Sequence, residues 1–239
     1  MGIRFYKPFS NNIEVISFDL DDTLYENEQV IHEAEQAQFD AVCGFMPKAE
    51  AVGISFWIDL KWQVLKEQPE VRHDVTLWRQ AVIEKGLTQQ GVDPKQVAAW
   101  SKDIFAAFYQ ARSNFEIPSK THHVLTKLKT KWPIIAVTNG NADIHRLDLA
   151  KYFSAYYRAG EKNTRSKPYP DMLTLAASEL NVKPQNILHI GDNVKSDIGA
   201  ANNAKTMSLW YNPNQNQFKK GTALPNGEYS DLDDLLHLL

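Results

Sequence analysis

The sequence predicts an α/β protein in which a doubly wound parallel sheet is interrupted, just after its first strand, by an all-helical insert. Three observations lead there. Five short apolar runs alternate with helical patterns, as expected of βαβ units whose parallel strands are buried on both faces. Residues 27–118, between the first two runs, carry only helical periodicity. The first run ends on a cluster of acids, at the sheet edge where open α/β folds hold ligands.

Ile13, Val15, Ile16 and Phe18 form the first run, and the others cover 134–137, 155–159, 187–190 and 207–210. Helices are predicted between them over 120–131, 143–151, 170–181 and 195–204. The insert reads as helices over 27–45, 50–67, 74–86 and 94–113, broken at Pro47, Pro69 and the Gly86–Pro94 turn region. Asp74 stands where a helix N-cap is wanted. Residues 212–229, rich in Asn, Pro, Gly and Lys, predict a surface loop before a last short helix. The expected domains are a core made of 1–26 and 119–239 and a helical domain made of 27–118.

Composition narrows the function classes. A net charge of −3 offers no global attraction to nucleic acid or anionic membrane, and no basic run or zinc-ligand spacing is present. Cys43 is the only cysteine, so no intramolecular disulfide can form and a reducing compartment is expected. The first residues lack the apolar core of a signal peptide, and Tyr6 breaks the myristoylation pattern that Gly2 would open. With no stretch long enough for a membrane span, the expectation is a cytoplasmic protein.

The chemistry lies at the ends of the apolar runs. Asp19-Leu20-Asp21-Asp22-Thr23 follows the first. Residues two apart on a strand share a face, and such crowded carboxylates repel one another unless a cation compensates them. The second run ends in Thr138-Asn139-Gly140-Asn141, where a hydroxyl, an amide and a tight turn with exposed N–H groups suit an anion. Lys167 precedes Pro168 and is therefore expected to be extended. The fourth run ends in Gly191-Asp192, with Asp197 five residues on, across the turn into a helix.

In that order, Asp19-x-Asp21-x-Thr23, Thr138, Lys167 and Gly191-Asp192 with Asp197 resemble the ordered motif set of the haloacid dehalogenase superfamily. The resemblance covers the whole core, and the insert is similar to the first type of helical cap in that superfamily. A finer resemblance, carried by Arg4-Phe5-Tyr6, His73-Asp74-Val75-Thr76, Trp78-Arg79, Thr138–Asn141 and Arg165–Pro168, is to the YigB-type phosphatases. Those are associated with flavin mononucleotide and with the phosphorylated ribitylaminouracil of riboflavin synthesis.

The resemblance implies a phosphatase with a Rossmann-like core. Asp19 would be the nucleophile, forming an aspartyl-phosphate, and Asp21 the general acid and base. Mg²⁺ would be held by the Asp19 carboxylate, the Asp21 carbonyl and Asp192. Thr138, the Asn139 N–H and Lys167 would hold phosphate oxygens. Asp197 and Thr23 would stand behind them, Asp197 orienting a metal-bound water or Lys167 and Thr23 shaping the first loop. The expected partner is a small phosphate ester, with the protein a monomer or weak homo-oligomer.

Three alternatives stay open on the sequence. A dehalogenase on the same fold would not need Asp21 and Asp192, and a phosphomutase would share core and cap. A non-catalytic binding protein would be free to lose one of the acids or the lysine. Substrate choice is expected in the insert, either from its aromatic residues with Arg72, Arg79 or Arg112, or with Trp57, Trp62, Trp78 and Trp100 serving only as a small core.

Overall fold

The structure, a computed structural model, describes residues 2–9, 12–46, 48–218 and 221–239, with the side chains of 49–51 left aside. The chain runs β1 (Arg4–Phe5), β2 (Val15–Phe18), α1 (Glu28–Phe45), α2 (Ala49–Glu67), α3 (Val75–Gln89), α4 (Pro94–Ala111) and α5 (Ser119–Leu128). It continues through β3 (Ile134–Thr138), β4 (Phe153–Arg158), α6 (Asp171–Glu179), β5 (Ile187–Gly191), α7 (Gly199–Ala204), β6 (Met207–Tyr211) and β7 (Gly227–Tyr229). Two compact units result: Met1–Glu26, Glu116–Gly140 and Asp148–Leu239 form the sheet unit, and Asn27–Phe115 with Asn141–Leu147 the helical unit.

The sheet has the order β1-β7-β6-β5-β2-β3-β4. Among the described residues only the β1–β7 pair is antiparallel; the others are parallel. The chain winds outward from β2 through β3 to β4, then restarts at β5 on the other side of β2. The strand order therefore reverses between β2 and β5, where such sheets open a crevice at their carboxyl ends. All residues of β2, β3 and β5 are buried, which is why their sequences read as unbroken apolar runs. On one face Val15, Ile135, Val137, Tyr157 and Ile187 pack with Met172, Leu173 and Ala176 of α6 and Ala200, Ala201 and Ala204 of α7.

Three expectations for the sheet unit and its neighbourhood are corrected. Residues 143–151 form turns and a short 3-10 segment at Ala150–Tyr152. There the Asp143 carboxylate accepts from the His145 and Arg146 N–H groups, and Asp148 takes φ +54°, so local side-chain bonding displaces the helix ladder. Residues 212–229 are not loop throughout, because β7 joins β6 and β1. At two and three residues, β1 and β7 are too short to carry a period-2 signal. A Cβ on Gly227 would lie 2.8 Å from the Arg4 carbonyl oxygen, so only glycine lets β1 approach. The expected helix over 195–204 opens as a single π turn, Val194–Ile198, before α7.

In the helical unit, Asp74 caps α3 by accepting from the Thr76 and Leu77 N–H groups, and Asp93 caps α4 ahead of Pro94. The helix α3 runs past Gly86 to Gln89, where the pattern predicts a stop at 86. Gly86 is a packing residue: a Cβ there would lie 2.1 Å from the Trp57 ring. The turn is made instead at Gly91, with φ +79°, and at Pro94. The expected break at Pro47 lies outside the described residues. Trp57, Val42, Leu60, Val64, Val82, Ile83, Leu87 and Ile104 form the core of this unit, with Trp78 and Trp100 packed against it. Asn141 and Asp143 belong here too, donating from Nδ2 to Thr76 Oγ1 at 3.1 Å and from the main-chain N–H to Ser113 Oγ at 2.8 Å.

Candidate active site

The apolar strand β2 stops at Phe18, and the main chain of Asp19 still bonds to its neighbour, donating to the Ile190 carbonyl at 2.8 Å. This last rung fixes the Asp19 backbone at the sheet's carboxyl edge. Thr138, at the end of β3, and Asp192, just past β5, lie on the strands either side of it. Three of the four sequence motifs thus come together because three adjacent parallel strands end together.

The fourth arrives by way of Asn139. Its side-chain amide donates to the Lys167 carbonyl at 3.0 Å and accepts from the Lys167 N–H at 2.7 Å. That double bond to the main chain delivers the lysine into the cluster. Its ammonium then meets Asp19 Oδ1 at 2.7 Å, Asp197 Oδ1 at 2.6 Å and the Val137 carbonyl at 2.8 Å. An ammonium has three protons, and all three are engaged. A direct grip of Lys167 on phosphate, as the sequence leads one to expect, would require one of these three contacts to give way.

Asp197 is fully buried and well held. Besides Lys167 it accepts from the Asn193 N–H at 3.0 Å and the Ser196 hydroxyl at 3.3 Å. Gly191 makes room for it: a Cβ there would stand 2.3 Å from the Asp197 carboxyl carbon. Gly140 does the same for Asp21, whose Oδ2 would lie 2.5 Å from a Cβ. Asp21 also accepts from the Tyr25 hydroxyl at 2.7 Å. Asp22 takes φ +58° in the turn that carries the chain away from the strand. Thr23 is buried and donates to Asp192 Oδ1 at 3.2 Å, and Trp210 Nε1 donates to the Asp192 carbonyl at 2.7 Å. The Thr138 hydroxyl accepts from the Gly140 N–H at 2.9 Å.

Carboxylate oxygens of Asp19, Asp192 and Asp197 lie within 4.8 Å of one another. Among the described residues one ammonium, that of Lys167, contacts two of the three. Burial pushes the Asp197 carboxyl up, but Lys167 and His189 outweigh it and hold Asp197 ionised, well below the usual range. Burial likewise opposes the charge on Lys167, yet Asp19 and Asp197 keep it above its ordinary value. Asp19 is raised well above normal, by burial first and then by Asp197 and Asp21, against the pull of Lys167. Asp192 is pushed up to about 7 by burial, Asp197 and Asp22. The pocket is thus short of positive charge, and its donors are hard oxygens. That is the donor set and the charge deficit a Mg²⁺ ion fits.

Residues 13–205 match the family model of the haloacid dehalogenase-like hydrolases. The chain belongs to that family. This hydrolase is 35% identical over 99% of its length to the 5-amino-6-(5-phospho-D-ribitylamino)uracil phosphatase YigB of Escherichia coli, of which it covers 100%. It is 26% identical to the glyceraldehyde 3-phosphate phosphatase of Pyrococcus furiosus, over 83% of this chain and 80% of that protein. Among solved structures, a 2-haloacid dehalogenase from Pseudomonas syringae superposes with a TM-score of 0.88 at 29% identity, covering 95% of this chain and 97% of that one. The full-length kinship makes the hydrolase a phosphatase of this family. Among the described residues no helix is long and apolar enough to cross a membrane.

Several residues that shape the site escaped the motif reading. Tyr25, Ser17, His189 and the side-chain role of Asn139 were all legible only as polar groups next to a motif. In the helical unit, two of the arginines considered for substrate recognition have structural partners. Arg79 stacks on the Phe108 ring at 3.6 Å and donates to Gln38 at 3.0 Å, and Arg72 donates to the Pro69 carbonyl at 2.6 Å.

Proposed function

We propose that the enzyme hydrolyses small phosphate monoesters through an aspartyl-phosphate on Asp19, with Mg²⁺ as cofactor, and that its substrate is flavin mononucleotide or 5-amino-6-(5-phosphoribitylamino)uracil. The observation that carries the reaction is the trio of carboxylates at the strand ends, two of them buried against a single ammonium. What supports the substrate is the full-length similarity to the ribitylaminouracil phosphatase.

In the first half-reaction an Asp19 oxygen attacks phosphorus, the ester P–O bond breaks, and Asp21 gives its proton to the departing alkoxide. In the second, Asp21 takes a proton from water, which attacks the phosphorus and restores the Asp19 carboxylate. One carboxyl serves both because each step leaves it in the state the next requires. The Tyr25 hydroxyl holds Asp21 for both, and Gly140, having no Cβ, leaves room for its carboxylate. Thr138 and the Asn139 N–H receive phosphate oxygens, while Lys167 keeps Asp19 aimed and adds positive charge. The Asp19 carboxylate, the Asp21 carbonyl and Asp192 would hold the Mg²⁺, which supplies charge to offset the phosphoryl oxygens against the anionic nucleophile.

A dehalogenase reading has one observation in its favour, the close superposition on the 2-haloacid dehalogenase from Pseudomonas syringae. Asp21 and Asp192 weigh against it, since carbon–halogen hydrolysis by an aspartate needs neither a second acid nor a cation. The deciding experiment is a turnover screen measuring phosphate release from flavin mononucleotide, the ribitylaminouracil phosphate, phosphoglycolate, sugar phosphates and nucleotides, beside halide release from 2-chloropropionate. Asp19→Asn is the control and is expected to abolish phosphate release while leaving the fold intact. Substantial turnover by that variant sinks the nucleophile assignment, and halide release without phosphate release reverses the reaction class.

A further inference from the structure

Two polar side chains interrupt the apolar runs of β2 and β5. Ser17 is inside β2 and His189 inside β5, both with no exposed surface. They are register partners across the parallel pair. Polar groups placed so deep are costly unless each finds a partner. Here the partners form a chain. The Ser17 hydroxyl lies 2.9 Å from His189 Nδ1, and His189 Nε2 lies 3.4 Å from Asp197 Oδ1. Asp197 Oδ1 in turn meets Lys167, which meets Asp19. The ring of contacts leaves β2 at Ser17 and returns at Asp19, just past the end of the same strand.

The chemistry of the partners fixes the imidazole. An ionised carboxylate only accepts, so Nε2 carries the proton toward Asp197, and bare Nδ1 accepts from the Ser17 hydroxyl. Burial, with the nearby Lys167 charge, outweighs Asp197 and keeps the ring neutral. A plain filling residue would need none of this.

We infer that His189, oriented by Ser17, is a positioning residue for the hydrolysis: it holds the Asp197 carboxylate in the place from which Lys167 reaches Asp19. The inference rests on the reading of Asp19 as nucleophile. It gives the rear wall of the site a donor that the family motifs do not include, and it ties nucleophile geometry to a hydrogen bond inside the sheet.

His189→Leu keeps the bulk and removes the donor. With p-nitrophenyl phosphate as probe and Mg²⁺ present, its kcat is expected to fall about 10- to 100-fold with KM little changed, because a misaimed nucleophile matters only in the transition state. Rapid-quench labelling should show phosphoenzyme forming more slowly by the same factor. His189→Gln returns an N–H toward Asp197 and should recover most of the rate, which a merely structural role would not require. A folded His189→Leu with wild-type kcat, or a His189→Gln as impaired as His189→Leu at equal stability, overturns the inference. Should His189→Leu not fold, Ser17→Ala decides: it frees the ring, and an unchanged kcat overturns the inference too. Turnover by Asp19→Asn in the same series would instead signal failure of the nucleophile reading.

Discussion

Replacing Gly191 by alanine adds one methyl group at the most crowded point of the site. The new Cβ would stand 2.3 Å from the Asp197 carboxyl carbon, 2.5 Å from its Cβ and 2.7 Å from Oδ2. Ordinary contact begins at 3.4 Å, so the carboxyl carbon must retreat by about 1.1 Å. Asp197 has little freedom to do so, being fully buried and tied to Lys167 at 2.6 Å and to the Asn193 N–H at 3.0 Å. A retreat of that size takes the Lys167 contact beyond hydrogen-bond range and leaves two buried charges partly unpaired. Overpacking alone costs about 1–3 kcal/mol, and breaking a buried pair outright about 3–5 kcal/mol. Because the pair is weakened rather than removed, a loss of about 3 kcal/mol is expected. Urea unfolding followed by tryptophan fluorescence measures it as a lower midpoint at unchanged slope, and turnover should fall with it. Gly44→Ala is the matched control. A Cβ there meets nothing within 4 Å, and its helical site in α1 should gain up to about 1 kcal/mol. Equal midpoints and equal turnover for Gly191→Ala and the wild type would refute the reasoning.

In the helical unit, burial raises the Glu35 carboxyl, but hydrogen bonds and charge from Lys61 and Arg79 outweigh it and hold it below its ordinary 4.5. A depressed carboxylate contributes stability that is complete above its unfolded value and lost as pH falls through the lower folded one. The melting-temperature difference between wild type and Glu35→Gln should therefore be constant above about pH 5 and shrink below it; a difference that grows toward acid contradicts the assignment. For the metal, excess chelator should stop phosphate release and added Mg²⁺ restore it. Asp192→Asn should need a higher Mg²⁺ concentration for half-maximal rate, and full activity in chelator would remove the metal from the reaction.

The sequence patterns carry the catalytic edge well and the rest unevenly. Asp19, Thr138 and Asp192 stand out because each interrupts an apolar run at the point where burial ends. Their convergence follows from parallel pairing alone. Ser17 and His189 have the opposite character, lying inside such runs, where a single polar residue does not disturb the pattern. The readable signal is their pairing in register, which requires knowing that β2 and β5 are neighbours. Gly86 misleads because a glycine reads as a helix end, whereas here it is the floor beneath an indole ring. Residues 143–151 mislead in another way: the apolar spacing is helical, yet the Asp143 carboxylate competes for the same N–H groups. The arginines of the insert show a further limit, since a charge and an aromatic ring nearby in sequence do not reveal that Arg79 already rests on Phe108.

The bond from the Lys167 N–H to Asn139 spans 28 residues, with all of β4 looped between. That amide is protected from solvent by a side chain on another loop, not by a helix or sheet ladder. Its hydrogen exchange therefore reports when this loop is closed, separately from the unfolding of the strands on either side. Closing it requires a group that donates and accepts at once, which asparagine does and aspartate cannot. One amide proton thus offers a clock for assembly of the site, readable without substrate, metal or turnover.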